Sequence, residues 1–334
     1  MIRLALVTLL GACGPSHQGS TPAPPPPAVE APRAMSVEEA SQALWRFDLK
    51  PAWRDLATRE RVALQALVVS LLDAAPTGIL PTDARTASST LGMRIERWRI
   101  GGRDHWVLQE LESSRRGAGA YVFAVGETPA AGPWILLESP HAYHDLNTGR
   151  IGAAMYFTPP PGPSPRAFFT NTVHRYTTAT GERASAKDAP ADACHNPFHP
   201  IAIATLAVAR AKPDITVLQL HGFASGDAGD DDESSPPASV VAVVSAGRKD
   251  APTALSQGVA TRLREQLGAG VMLYPGDIRV LGATTNVEMR AIDPIPTARF
   301  LHLEMSSTLR DQLLRDPARR DAIAATLFAL GSAP

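Results

Sequence analysis

The sequence predicts an α/β fold, an open twisted mixed sheet with helices on both faces, on three observations. Short apolar runs of strand length recur at 134–138, 215–220, 240–244 and 300–303. Helical stretches lie among them at 200–211, 255–267 and 307–329. Hydrophobic residues make up 44% of the 334, enough for a sizeable core. Near-continuous apolar strands alternating with helices are the pattern of a sheet covered on both sides. In such folds ligands sit at the carboxyl ends of the strands.

The chain opens MIRLALVTLLGAC. Arg3 followed by a short apolar run has the build of an export leader, and the run is too short to span a bilayer. Leu10-Gly11-Ala12-Cys13 resembles a bacterial lipobox, which implies cleavage before Cys13 and lipidation of that residue. Residues 13–35 are rich in Pro, Ala and Ser, including Pro24 to Pro27, and read as a semi-rigid tether. The expected location is the bacterial envelope, lipid-anchored at the outer membrane and facing the periplasm. Lipidation of Cys13 leaves Cys194 as the sole cysteine of the mature chain, so no intramolecular disulfide is expected. With 32 Lys+Arg against 33 Asp+Glu, the chain lacks the basic surplus of a general nucleic-acid binder.

Residues 36–128 are expected to form a small α+β segment packed on the main domain, 129–334. Ser36 and Glu39 stand in capping-box spacing. Val62, Leu64, Leu67, Val68, Leu71 and Leu72 fall at helical spacing within 58–74. Strands are expected over 93–100, 105–111 and 120–125, with turns at Gly101-Gly102 and Gly117–Gly119.

Six of the nine histidines lie between residues 141 and 221. His141 follows the run 134–138, and His221 follows 217–220. Asp145 lies four residues after His141. Two imidazoles and a carboxylate, with a coordination position left open, make a catalytic zinc site. Glu304, at the end of the run 300–303, suits the carboxylate that takes a proton from water. Its bland alternative is a pair with Arg310. Asp145 also suits a turn cap in Asp-Leu-Asn-Thr-Gly. His144 competes with it, and His195 is a further candidate for the metal set.

Ser139-Pro140-His141, Asn196-Pro197-Phe198-His199, Leu218-Gln219-Leu220-His221 and Leu301-His302-Leu303-Glu304 together resemble the N-formylglutamate amidohydrolases. They are also similar to the phage-type poly-γ-glutamate hydrolases, within a broad zinc-dependent class of peptidases and amidohydrolases. The resemblance implies His141, Asp145 and His221 as zinc ligands and Glu304 as the catalytic base. Two departures stand out: the carboxylate ligand is Asp where Glu is more usual, and His144 sits in a turn that is small or Gly-rich in those families.

Arg175 is expected to clamp a substrate carboxylate in a bidentate fork, unless it pairs with a structural Asp. His174 and Asn171 are candidates for oxyanion stabilisation, and His195 for orienting substrate or a ligand. Cys194 beside His195 is a poor nucleophile, because adjacent side chains seldom face each other. No Gly-x-Ser-x-Gly elbow, phosphate-binding Gly-rich loop with Lys, or His-Glu-x-x-His motif occurs. The acidic run 227–233 reads as a solvated loop. The expected activity is zinc-dependent hydrolysis of an amide or peptide bond in a small carboxylate-bearing substrate. The competing expectation is a degenerate domain that binds envelope components without turnover.

Overall fold

The computed structural model describes residues 31–45, 52–126, 134–185, 189–224 and 236–332. Cys13 with its leader, nearly all of the Pro-rich tether and the acidic run 227–233 lie outside these residues. The first described elements are β1 (Arg33–Ala34), α1 (Val37–Leu44), α2 (Thr58–Ala74), α3 (Ala84–Thr90), β2 (Met93–Ile100), β3 (Arg103–Glu110) and β4 (Ala120–Val125). The capping box at α1 is formed. Ser36 Oγ accepts from the Glu39 amide at 3.1 Å, and the Glu39 carboxylate accepts from the Ser36 amide at 2.7 Å. In α2 the expected apolar face is buried from Leu64 to Leu72, while Val62 is exposed. β2 and β3 turn through Gly101-Gly102, whose φ values of 58° and 81° suit glycine.

The chain continues through β5 (Ile135–Ser139), α4 (Thr148–Phe157), β6 (Ala167–Thr170), α5 (Pro200–Ala211), β7 (Thr216–Phe223), β8 (Ala242–Ser245), α6 (Ala254–Leu267), β9 (Val271–Leu273), α7 (Val287–Ile292), β10 (Arg299–Ser306), α8 (Ser307–Arg315) and α9 (Pro317–Gly331). All ten strands share one mixed sheet, in the order β1-β2-β3-β4-β6-β5-β7-β10-β8-β9. The centre, β6-β5-β7-β10, is parallel. Side chains alternate across it. Leu137, Leu218, Leu220, Leu301 and Leu303 pack in one core with α1, α4, α6, α8 and α9. Leu136, Val217 and Phe300 face the other, with α2, α3, α5 and α7. The expected α/β architecture, with helices on both faces, is what the chain adopts. No helix of the described residues is long and apolar enough to cross a membrane.

Three expectations change. The segment 36–128 is not a body packed on a separate domain: β4 pairs with β6, so β2–β4 extend the same sheet. The helix expected over 307–329 is two helices. Asp316 ends α8, and its carboxylate caps the Arg319 amide at 3.1 Å, with Pro317 in the first turn of α9. The stretch around Asp145, Asn147 and Gly149 makes its turn and then enters α4, with Asn147 at φ 75°. Gly152 lets α4 lie close to β5, since a Cβ there would come within 2.5 Å of Ser139 Oγ.

His105 sits fully buried on β3 against Tyr156 and Phe157, with neither ring nitrogen hydrogen-bonded. Burial, with Arg103 adding to it, pushes its pKa down to about 3. The unfolded chain therefore binds a proton that the folded chain refuses between about pH 6.5 and 3, and stability is lost as pH falls through that window. His105→Phe should flatten this loss. Denaturant midpoints at pH 7 and pH 4 should differ less for the variant than for the parent.

Candidate metal centre

Three neighbouring parallel strands deliver the chemistry. β5 ends at Ser139, and the chain turns at once: the amides of His144 and Asp145 both donate to the His141 carbonyl at 2.8 Å. This turn swings Asp145 back toward the sheet. β7 carries His221 and β10 carries Glu304, and these two residues are direct register partners. Period two puts Gln219, His221, His302 and Glu304 on one face of adjoining strands.

One Asp145 oxygen, Oδ2, lies 3.1 Å from His221 Nδ1 and 3.6 Å from His141 Nδ1, and it accepts from the Gly222 amide at 3.1 Å. Gly222 is required there, because a Cβ would come within 2.0 Å of the Arg310 guanidinium. Burial raises the Asp145 pKa, but hydrogen bonds from His141 and His221 outweigh it and hold the carboxyl well below the usual carboxylate range. His221 is pushed down to about 4 by burial, with His302 adding to it, so its imidazole is neutral near pH 7. On His141 burial acts downward, but Cys194, Asp192 and Asp145 outweigh it and raise the pKa.

Asp192, in the loop before α5, organises this side of the cavity. Its Oδ1 accepts from His141 Nε2 and from the Cys194 amide, each at 2.9 Å. Its Oδ2 meets His195 Nδ1 at 3.0 Å and pairs with Arg175. A carboxylate can only accept, so Asp192 takes the hydrogen bond of His141 Nε2–H and turns Nδ1 toward Asp145. Imidazole and carboxylate are metal-ligating donor types, and one imidazole here is oriented from behind by a second carboxylate. Among the described residues, the groups whose ligand atoms lie within 4.8 Å of one another are His141 with Cys194 and His221, and His221 with His302 and Glu304; Asp145 adjoins the first through His221 and His141.

Glu304 faces the same cavity, of about 620 Å³. His302 Nε2 lies 3.0 Å from its Oε1, while Oε2 is buried without a partner. Arg310, the alternative partner, donates instead to the Phe223 and Met305 carbonyls. His302, stacked on His221 at 4.3 Å, is the site residue the sequence reading passed over. Its signal was the i, i+2 spacing to Glu304 on a strand.

Other expected residues are placed differently. Arg175 lines the cavity, but its guanidinium is bound to Asp192 and lies 3.3 Å from His141 Nδ1, which is the structural pairing rather than a free clamp. Asn171 is no oxyanion donor. Its Oδ1 accepts from the amides of Thr172 and Val173, at 2.8 and 3.2 Å, and its Nδ2 donates to the Ala191 carbonyl at 3.1 Å. His174 packs behind His144, its Nδ1 accepting from the Tyr176 amide at 3.2 Å. Burial, with Arg183 adding to it, lowers its pKa to about 4. His144 reaches the cavity wall, and its ring meets those of His174 and Tyr176 edge to face. His195 is half exposed and bridges Asp192 to Thr285 Oγ1, at 3.1 Å from the latter. His199 caps α5 and stacks on Trp53. Cys194 is buried, its Sγ 3.7 Å from His221 Nε2, and burial raises its pKa.

Beneath the site, Gln219 Nε2 donates to the carboxyls of Glu138 and Glu288, and its Oε1 accepts from Asn286 Nδ2 at 2.8 Å. Burial raises the pKa of both glutamates. Asn286 caps α7 and also lines the cavity, so this network sets one of its walls.

No family model matches the chain, and no curated protein does. Among solved structures, a gene product of Agrobacterium tumefaciens is similar at 14% identity, over 60% of this chain and 90% of its own, with a TM-score of 0.38. A candidate metallopeptidase of Shewanella amazonensis is 11% identical over 73% of this chain and 89% of its own, at 0.35. An aspartoacylase family protein of Mesorhizobium loti is 13% identical over 69% and 67%, at 0.38. Likenesses this weak decide neither kinship nor activity.

Proposed function

We propose that this chain is a zinc-dependent hydrolase of amide or peptide bonds, acting on a small substrate that carries a carboxylate. One observation carries the reading: the Nδ1 atoms of two buried histidines meet one Asp145 oxygen in a cavity that also holds a partnerless carboxylate oxygen of Glu304. His141, Asp145 and His221 would hold the ion. When bound, it supplies Lewis acidity toward the scissile carbonyl and toward water. Glu304 takes the proton of the attacking water at Oε2 and passes it to the leaving nitrogen, while His302 holds Oε1 in place. Arg175, fixed by Asp192, keeps a positive charge beside His141, where negative charge develops on the carbonyl oxygen. The cavity has the size of a small-molecule or short-peptide site. The substrate classes that fit are N-acyl amino acids, peptides and cell-wall fragments. The resemblance of the four motifs to N-formylglutamate amidohydrolases supports the same chemistry. The lipobox-like Cys13 supports anchoring in the envelope.

The parent should hold about one zinc per chain, and folded His141→Ala/His221→Ala should hold none, by elemental analysis after dialysis. Metal-free parent protein, after incubation with zinc, would sink the hydrolase reading. Glu304→Gln should keep its zinc and lose about 10²-fold or more in turnover, measured by amine release from an N-acyl amino acid panel. Asp192→Asn should weaken zinc binding about 10- to 100-fold in chelator competition, because His141 loses its orienting acceptor. Cys13→Ser should shift the full-length protein from the membrane to the soluble fraction of a Gram-negative host.

A further inference from the structure

One wall of the cavity is the loop 274–286 between β9 and α7, and it is held under strain. Among the described residues three non-glycine residues have positive φ, and two of them, Leu281 at 59° and Ala283 at 53°, flank Gly282 in this loop. Left-handed backbone is unfavourable for such residues and persists only where the surroundings enforce it. The surroundings do so here. Ser245 Oγ donates to the Gly282 carbonyl at 2.7 Å, and a Cβ on Gly282 would come within 2.4 Å of the Tyr274 ring. Arg290 donates to the Thr284 carbonyl at 3.1 Å, and Thr285 is tied through His195 to Asp192. The loop is therefore a fixed wall rather than a free one.

That wall presents Arg279. Two arginines line the cavity. Arg175 is committed to Asp192, whereas Arg279 is exposed and has no hydrogen-bond or ion-pair partner among the described residues. Arg279 lines the cavity from this loop, and a guanidinium fork without a protein partner among the described residues matches the planar geometry of a carboxylate. We infer that Arg279, rather than Arg175, binds the carboxylate of the substrate. This specificity role rests on the hydrolase reading above and names the residue that selects for an acidic substrate. Thr284, on the same wall, brings a hydroxyl to the cavity lining.

The test is binding, with metal content measured on the same zinc-loaded samples. N-acetylalanine and its neutral counterpart N-acetylalaninamide are titrated calorimetrically into the parent, Arg279→Ala and Arg279→Lys. The parent should prefer the carboxylate. Arg279→Ala should bind it about tenfold more weakly or worse, the effect of losing a charge-assisted hydrogen bond. Arg279→Lys should fall between them, and the amide should bind all three alike. Arg279→Ala binding N-acetylalanine as the parent does would overturn the assignment. So would a parent that binds neither probe or does not distinguish them. Each of these results leaves the hydrolase reading standing as long as zinc is present, while absence of zinc from the parent removes that reading itself. With a turned-over substrate, Arg279→Ala should raise KM with little change in kcat, the split expected of a residue that binds ground state and transition state alike.

Discussion

The cavity is organised around a single buried carboxylate. Asp192 is 1% exposed and gathers His141, Arg175, His195 and the Cys194 amide around its two oxygens. Burial alone would raise its pKa, yet the charge and hydrogen bond of His141, with His195 and Arg175, hold it far below the carboxylate range. An anion so satisfied stays ionised at any physiological pH, and it turns the ring of His141 and anchors Arg175. Through His195 and Thr285 it also reaches the strained loop, so the His141 side of the cavity and the loop 274–286 share one support.

The sheet supplies the rest. Parallel strands β5, β7 and β10 end at the same edge, and strand alternation places a polar series on the face toward α5 and α7. The opposite face of the same strands is mostly apolar, with Ile135, Leu137, Leu218, Leu220, Leu301, Leu303 and Met305 in the core. Polar groups so deep are tolerable only when paired. Gln219 provides this by donating to Glu138 and Glu288 together, with Thr205 donating to Glu138. With both pKa values raised by burial, the two glutamates need not bring two full charges into the core.

Much of this was legible in the sequence. Apolar runs ending in His or Glu announced the strand-end residues, because strand length and catalytic residue type are both local. His141, Asp145, His221 and Glu304 do meet in one cavity. Asp192 gave no such signal. It sits in a loop 51 residues from His141, and a loop carboxylate carries no periodicity. Arg279 and the loop 274–286 were overlooked for the same reason, and Arg175 was favoured because its partner could not be seen. α4 went unread beyond the turn residues Asp145 to Gly149, and its Gly149 and Gly152 find their reason in the close approach to Trp45 and Ser139. The continuity of β2–β4 with the main sheet rests on the β4–β6 pairing, which joins residues about 50 apart in sequence.

Two costs converge on the cavity and favour a reaction over simple binding. A buried carboxylate oxygen without a partner is destabilising by about 1–3 kcal/mol where water cannot reach it, and Glu304 Oε2, in the cavity lining, has no protein partner among the described residues. Left-handed backbone at non-glycine residues is unfavourable by about 1–2 kcal/mol each, and Leu281 and Ala283 both adopt it. A module that only held a polymer in place could relieve both without loss, by giving Glu304 a second donor and the loop more glycine. A hydrolase cannot relieve the first. The oxygen that takes a proton from water must be free of other donors, and the pairing of Oε1 with His302 leaves it so. On the proposed reading this oxygen, on the register partner of His221, is the one that takes the proton.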